Sequence, residues 1–319
     1  MSDPSRPRHA FVLLTVLWAL VGASILGAVL GLLARRRVST AINQAAAIRA
    51  YWAAQECADL LREAASATLL SRGVDPRDPL REWRNLDRSV GLMSHTGRTA
   101  TCMAHLESDG ARFDINRASA ADLQRFFTAI EVTSSAIDSL VAAVLDWRDN
   151  DDLARPLGAE RVWYIEHARS TPRNADIADQ RELLLIRGID ALRSDQRAAI
   201  YSCVGVDQDL IDLWHAPRIV LETLPGVSAS VADAILGVRQ EQPGVSTLLE
   251  LLPLLPESAR DSLSTHYPDL IARAETQPLH WLLVSEGTSG SPRITNHMEL
   301  LLSFSGMRVG VVRRRFWMK

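Results

Sequence analysis

The chain has 319 residues, enough for two or three compact units, and its 47% hydrophobic and 23% charged residues are the make-up of folded protein. A net charge of −3 leaves no basic surplus that would make nucleic acid the main partner. No HExxH, G-x-S-x-G or P-loop pattern occurs and the eight histidines are scattered, so nothing points to an enzyme.

Residues 1–10 are short and polar, with Pro4 and Pro7 opposing helix. Residues 11–34 carry no charge over 24 positions. As helix they extend roughly 36 Å, enough to cross a hydrocarbon core of about 30 Å. A cleaved secretory signal has a shorter apolar region, and this one ends in Arg35, Arg36 and Arg37, so it reads as a retained anchor. Arg6 and Arg8 before the span and three arginines after it leave the orientation open on charge alone. Gly27 and Gly31 form a G-x-x-x-G face on which another helix can pack.

No Pro or Gly interrupts the chain between Gly31 and Gly73, which predicts one helix over about residues 11–70. Its second half, 35–70, is expected to turn the stripe Ile42, Ala45, Ile48, Trp52 and Leu60 toward the fold. Residues 71–98 read as loop, with Gly73, Pro76, Pro79, Gly91 and Gly97. Residues 99–106 and 111–115 read as a hairpin around Ser108-Asp109-Gly110. Residues 117–213 are predicted to be a strand-poor helical insertion, and 214–276 a second helical stretch. The last segment, 277–319, returns to strand character: 279–285, a turn over 287–292, then 294–304 and 308–316. This order predicts an α+β fold, a long helix packed on an antiparallel sheet with a large helical insertion.

Cys57, Cys102 and Cys203 contain no CxxC pair. One disulfide with a free thiol and three buried thiols remain open alternatives. The loop after residue 146 is acidic: Asp149, Asp151, Asp152 and Glu160 crowd together, with Asp146 one helical turn earlier. Asp149, Asp151 and Glu160 fall at positions 1, 3 and 12 of an EF-hand count, but Leu153 and Ala154 occupy positions 5 and 6, so this is no EF-hand. On acidity alone the loop is either solvated or a cation site. Trp147, Trp163 and Tyr164 beside it read as core. Leu224-Pro225-Gly226-Val227, with Ala232 and Ile235, has the form of a helix-hairpin-helix turn, and "FDINRASAADLQRFF" echoes it. Such turns can present backbone N–H groups to a phosphate. A membrane-anchored DNA-binding receptor is therefore the alternative function. Against it, no Lys or Arg follows the turn until Arg239.

The segments "HAFVLLTVLWALVG", "DWRDNDDLARPLGAERVWY", "RNADIADQRELLLIRGID" and "RIVLETLPGVSASVADAILGVR" together resemble the K-type minor pseudopilins of type II secretion, over most of the chain and in the same order. The resemblance implies processing by the prepilin peptidase between Ala10 and Phe11, where Gly is usual before the cut, followed by methylation of Phe11. Thr15 stands where most pilin-like subunits have Glu, and it lacks the carboxylate that meets a neighbour's amine in the membrane. The resemblance further implies an inner-membrane, single-pass protein with its domain in the periplasm. Its expected partners are the I-type and J-type minor pseudopilins and, through the fibre tip, secreted protein substrates. It also implies structural calcium, with Asp149, Asp151 and Glu160 as ligands and Asn174 as a further candidate.

Overall fold

A computed structural model describes residues 6–72, 78, 80–242, 245, 247–305 and 308–318, and for residues 6–11 and 72 the backbone alone. The first five residues of the expected leader, the loop positions Gly73, Pro76 and Pro79, and Lys319 lie outside the described residues.

Helix α1 runs over Arg6–Arg72, 67 residues and roughly 100 Å. It begins before the anticipated start at residue 11. Pro7 does not prevent this, because the first turn of a helix has no use for the N–H that proline lacks. Two short helices, α2 (Arg81–Arg84) and α3 (Leu86–Val90), lead to β1 (Met93–Thr96) and β2 (Ala100–Ser108). The C-terminal strands are β7 (His280–Ser289), β8 (Ile294–Ser305) and β9 (Arg308–Met318). These five form one antiparallel sheet in the order β1-β2-β7-β8-β9. The turn between β7 and β8 is shorter than the sequence suggested, because Gly287 and Thr288 belong to β7.

The expected hairpin around Asp109 does not form. β2 turns back at Gly97, whose N–H reaches the Ala100 carbonyl at 2.9 Å, and pairs with β1. Beyond β2, Asp109–Ala111 is a single 3-10 turn that carries the chain out of the sheet. A side chain at Gly110 would collide with the backbone of Leu210 and Asp212, so glycine serves close approach here and not chain reversal.

Between β2 and its neighbour β7 the chain builds a separate helical unit. In order come β3 (Phe113–Asp114), α4 (Ala120–Ala129), α5 (Ser134–Arg148), α6 (Arg161–Glu166), α7 (Ser194–Cys203), β4 (Val204–Gly205) and β5 (Ile211–Asp212). Then follow α8 (Arg218–Leu221), α9 (Ala229–Glu241), α10 (Leu248–Leu251), α11 (Glu257–Thr265), α12 (Tyr267–Ile271) and β6 (Ala274–Glu275). Two small parallel pairs, β3 with β4 and β5 with β6, fasten its ends. One continuous core from Phe113 to Leu270 unites the two helical stretches. The insertion enters and leaves beside the Ser108–Trp281 pair of β2 and β7.

The sheet packs on α1, but not on the face its large residues mark. Ala46, Ala50, Ala53, Ala54, Cys57, Ala58, Leu61, Ala65 and Leu69 are buried, whereas Ile42, Ile48, Trp52 and Leu60 are exposed. Alanines let the helix backbone approach the sheet closely. At Gly287 of β7 a side chain would strike the Ala50 carbonyl and the Ala54 amide. Ser285 donates to the Ala54 carbonyl at 2.8 Å. Cys57 and Cys102 close a disulfide between α1 and β2, and Cys203 is a buried free thiol.

Candidate functional site

The acidic loop joins α5 to α6, and both its ends are fixed by burial. Asp146 lies on the last turn of α5 and is fully buried, next to buried Trp147. Glu160 is the residue before α6 and is 3% exposed. One carboxylate oxygen each from Asp146, Asp149 and Glu160 lies within 4.8 Å of the others. Arg155 partly neutralises this group. Its guanidinium donates to Asp146 at 2.7 Å and to Asp149, and its backbone N–H also points at Asp146. A side chain at Gly158 would run into the Asp146 carboxylate, so the glycine of "GAE" makes room for the cluster.

The cluster is short of donors. Both oxygens of Glu160 and one of Asp149 are buried without a hydrogen-bond partner. Burial first, then the charges of Asp146, Asp149 and Asp152, push the Glu160 carboxyl up to about 7. Buried, unsatisfied carboxylate oxygens are costly unless a cation or proton meets them. Three hard oxygen donors in this arrangement fit calcium and not a soft metal.

Of the four residues expected to be ligands, Asp149 and Glu160 stand in the cluster. Asp151 is exposed, and its Oδ1 accepts from the Leu153 N–H at 2.8 Å. Asn174 donates to the Asp151 carbonyl at 2.6 Å and to Asp152 at 2.9 Å, while its own Oδ1 is buried without a partner. Asp146, Arg155 and Gly158 were not singled out as site residues. The signal for Asp146 was its spacing from Asp149 across a helix end, which brings both carboxylates to one side. Around the loop, Tyr164 is buried and its hydroxyl oxygen accepts from the Arg187 N–H at 2.9 Å, and Trp163 lies under the Arg169 and Arg187 guanidinium groups.

The turn Leu224-Pro225-Gly226-Val227 does join two helices, α8 and α9. Gly226 takes φ +74°, and a side chain there would meet His266 and the Ser262 carbonyl of α11. Ser262 Oγ donates to the Gly226 carbonyl at 2.8 Å, and Arg218 beside the turn is paired with Glu222 and Asp233. Arg239 reaches inward to the Ala216 carbonyl at 2.7 Å, away from the role of a phosphate contact. In the span, Thr15 donates to the Val12 carbonyl at 2.9 Å, so its hydroxyl is satisfied within its own helix. Ala10 and Phe11 lie on the first turns of α1, and their side chains are outside what is described. Among the described residues, one helix is long and apolar enough to cross a membrane.

Residues 102–198, which contain the whole acidic loop, match the family model for type II secretion system (T2SS) protein K. The chain is similar to the K-type minor pseudopilins. A second likeness comes from the crystal structure of the GspK–GspI–GspJ complex of the enterotoxigenic Escherichia coli type 2 secretion system. A chain in it matches with a TM-score of 0.58 at 17% identity, over 89% of this chain and 99% of that one. At that identity the likeness speaks to the fold alone. No curated protein sequence matches the chain. The K-type resemblance read from the motifs rests on the family segment, residues 102–198, and for the rest of the chain the likeness is one of fold.

Proposed function

We propose that the protein is a minor pseudopilin, an assembly subunit of type II secretion without a reaction of its own. The observation that carries this is the K-family segment, seated in a helical unit that grows out of a sheet packed on the membrane-length helix. On this reading α1 anchors the chain in the inner membrane and the remainder lies in the periplasm. The residues of α1 left outside the fold, Ile42, Ile48, Trp52 and Leu60, continue the apolar surface of the span and supply the face on which neighbouring subunits pack. The partners are I-type and J-type minor pseudopilins, as in the complex from E. coli. Thr15 lacks the carboxylate needed to dock beneath another subunit, which suits a place at the tip. The helical unit then caps the fibre that pushes folded substrates outward. The prepilin peptidase would cut between Ala10 and Phe11, leaving Phe11 to be methylated.

Calcium belongs to the same reading. Asp146, Asp149 and Glu160 would hold it, with Asn174 Oδ1 as a further donor. Asp151 would have to release the Leu153 N–H to join. The ion supplies positive charge that ties the end of α5 to the start of α6.

The test is the mass and N-terminal sequence of the mature chain from membranes. A chain beginning at methylated Phe11 is the expected result. A chain beginning at Met1 or Ser2 removes prepilin processing and with it the pilin-like route into a fibre.

A further inference from the structure

A small cavity lies where the sheet and the helical unit meet. Its walls are Arg84, Asn85 and Arg88 on one side and Trp214, His215 and Arg239 on the other. The first three belong to the α2–α3 segment, whose Trp83 and Leu86 are buried in the core between α1 and the sheet. Trp214 belongs to the helical core, and Arg239 lies on α9, whose apolar side chains help to form that core. About 10 Å³ is open inside, room for one particle of about the size of water.

Among the described residues no carboxylate lines this cavity. Two of its arginines hold guanidinium nitrogens that are buried without a hydrogen-bond partner. Arg84 is 4% exposed; its Nη2 pairs with Asp78 and its Nη1 reaches Gln277 Oε1 at 3.4 Å, but its Nε has no partner. Arg239 donates from Nη1 to the Ala216 carbonyl at 2.7 Å, while its Nε and Nη2 have none. Burial pulls the Arg239 guanidinium down to about 10, against the pull of Asp212. His215 is cationic at neutral pH: burial opposes its charge, but Asp212 and Asp87 raise it to about 9.

Charge is left over. Arg84 has Asp78, and His215 lies between Asp212 at 2.6 Å and Asp87 at 3.8 Å. With Arg88 and Arg239, four cationic side chains stand against these three carboxylates. A guanidinium offers donors only. Water accepts such bonds but leaves the charge in place, and a buried charge without a counter-charge is costly. We propose that the cavity binds one small inorganic anion, a chloride ion, which joins Arg84 and Arg88 beside the sheet to Arg239 and His215 of the helical unit. Its single charge matches the one left over, and its size suits the space. Sulfate and phosphate carry four oxygens and are too large to enter whole. Because groups from both units hold the ion, it favours the arrangement in which the two units meet.

The experiment uses the full chain in a neutral detergent with calcium held constant. Chloride is titrated against gluconate at fixed ionic strength, and the chloride NMR linewidth and the melting temperature are followed together. Saturable broadening is expected, displaced by bromide and not by sulfate, and the melting temperature should rise with the same midpoint. Arg239→Gln should reduce the broadening at least tenfold. In gluconate that variant should melt no lower than the parent, because it also removes the unpaired charge. Arg88→Gln, an exposed change that leaves the core untouched, should weaken chloride at least threefold and decides the matter if Arg239→Gln does not fold. Arg308→Gln, exposed on β9 and outside the cavity, should change nothing. Absence of saturable broadening overturns the proposal. So does equal displacement by sulfate, broadening that survives both cavity variants, or a melting temperature that follows ionic strength alone. None of these outcomes bears on N-terminal processing, so the anion site and the pseudopilin reading stand or fall separately.

Discussion

The two halves of this molecule build their cores by opposite means. In the sheet half, α1 offers mostly alanine to the strands, and stability comes from close backbone approach at Gly287, a disulfide and the indole pair Trp83 and Trp281. In the helical half, large side chains such as Phe113, Phe126, Phe127 and Tyr164 fill the interior without a disulfide. A small-residue interface gains little apolar area per residue and therefore depends on exact approach and on the cross-link. The helical half depends instead on satisfying the acidic loop. The contrast predicts that each half should fail by its own route.

The largest effect is expected from the disulfide. Replacing Cys57 and Cys102 by Ala frees a loop of 45 residues, worth about 4 kcal/mol of chain entropy. Denaturant unfolding, followed by hydrogen exchange, should show α1 and the sheet losing protection while the core of α5 keeps it. Uniform loss in both halves would break the comparison. Gly287→Val comes next, at about 3 kcal/mol, because the backbone of α1 has nowhere to move without leaving the sheet.

For the helical half, calcium at one hundred times its dissociation constant should add about 2.7 kcal/mol. Glu160→Gln and Asp149→Asn should each remove most of that gain while leaving the sheet half unchanged. Thermal melts with calcium and with chelator are the check, and an equal calcium response in the variants would reject these ligands.

A smaller, pH-dependent effect is expected where the halves meet. His215 of the helical half bonds Asp212 at 2.6 Å and lies 3.8 Å from Asp87 of α3. Burial opposes its charge, but these two carboxylates outweigh it and raise the ring to about 9 from 6.5. The native state thus holds this proton longer than the unfolded chain. The stabilisation is full below about pH 6.5 and is lost as pH rises through about 9. Glu275, pushed to about 8 by burial and by Asp212 and Asp209, acts in the same direction at lower pH. Unfolding of His215→Gln measured against the parent isolates the histidine part. The difference between the two should shrink from pH 6 to pH 9.5. Ser285→Ala, losing one bond to the α1 carbonyl, should cost about 1 kcal/mol at any pH.

The long helix was legible because charge-free length and the absence of Pro and Gly are local properties. The C-terminal strands were legible for the same reason. What failed was relational. The stripe of Ile42, Ile48, Trp52 and Leu60 follows helical spacing, yet it faces outward because the sheet selects the alanine face for close approach. The hairpin was misplaced because the partner of Phe113–Asp114 is Val204–Gly205, some ninety residues on, and no local turn signal reveals that. At the acidic loop, the resemblance implied Asp149, Asp151 and Glu160, and the fold adds Asp146 beside Asp149 and Glu160 through the end of α5, with space for it at Gly158. The disulfide choice among three cysteines likewise needed the packing of β2 on α1.

On the proposed reading, this chain works only as part of a minor pseudopilin assembly. The most direct test of that reading is to solubilise the full chain from its native membranes under mild conditions and determine the mass and composition of what travels with it. The account predicts a stoichiometric complex with I-type and J-type minor pseudopilins, lost when Trp52 and Ile48 on the outer face of α1 are changed to Glu. Recovery of the chain alone, or of a complex indifferent to those changes, would contradict it.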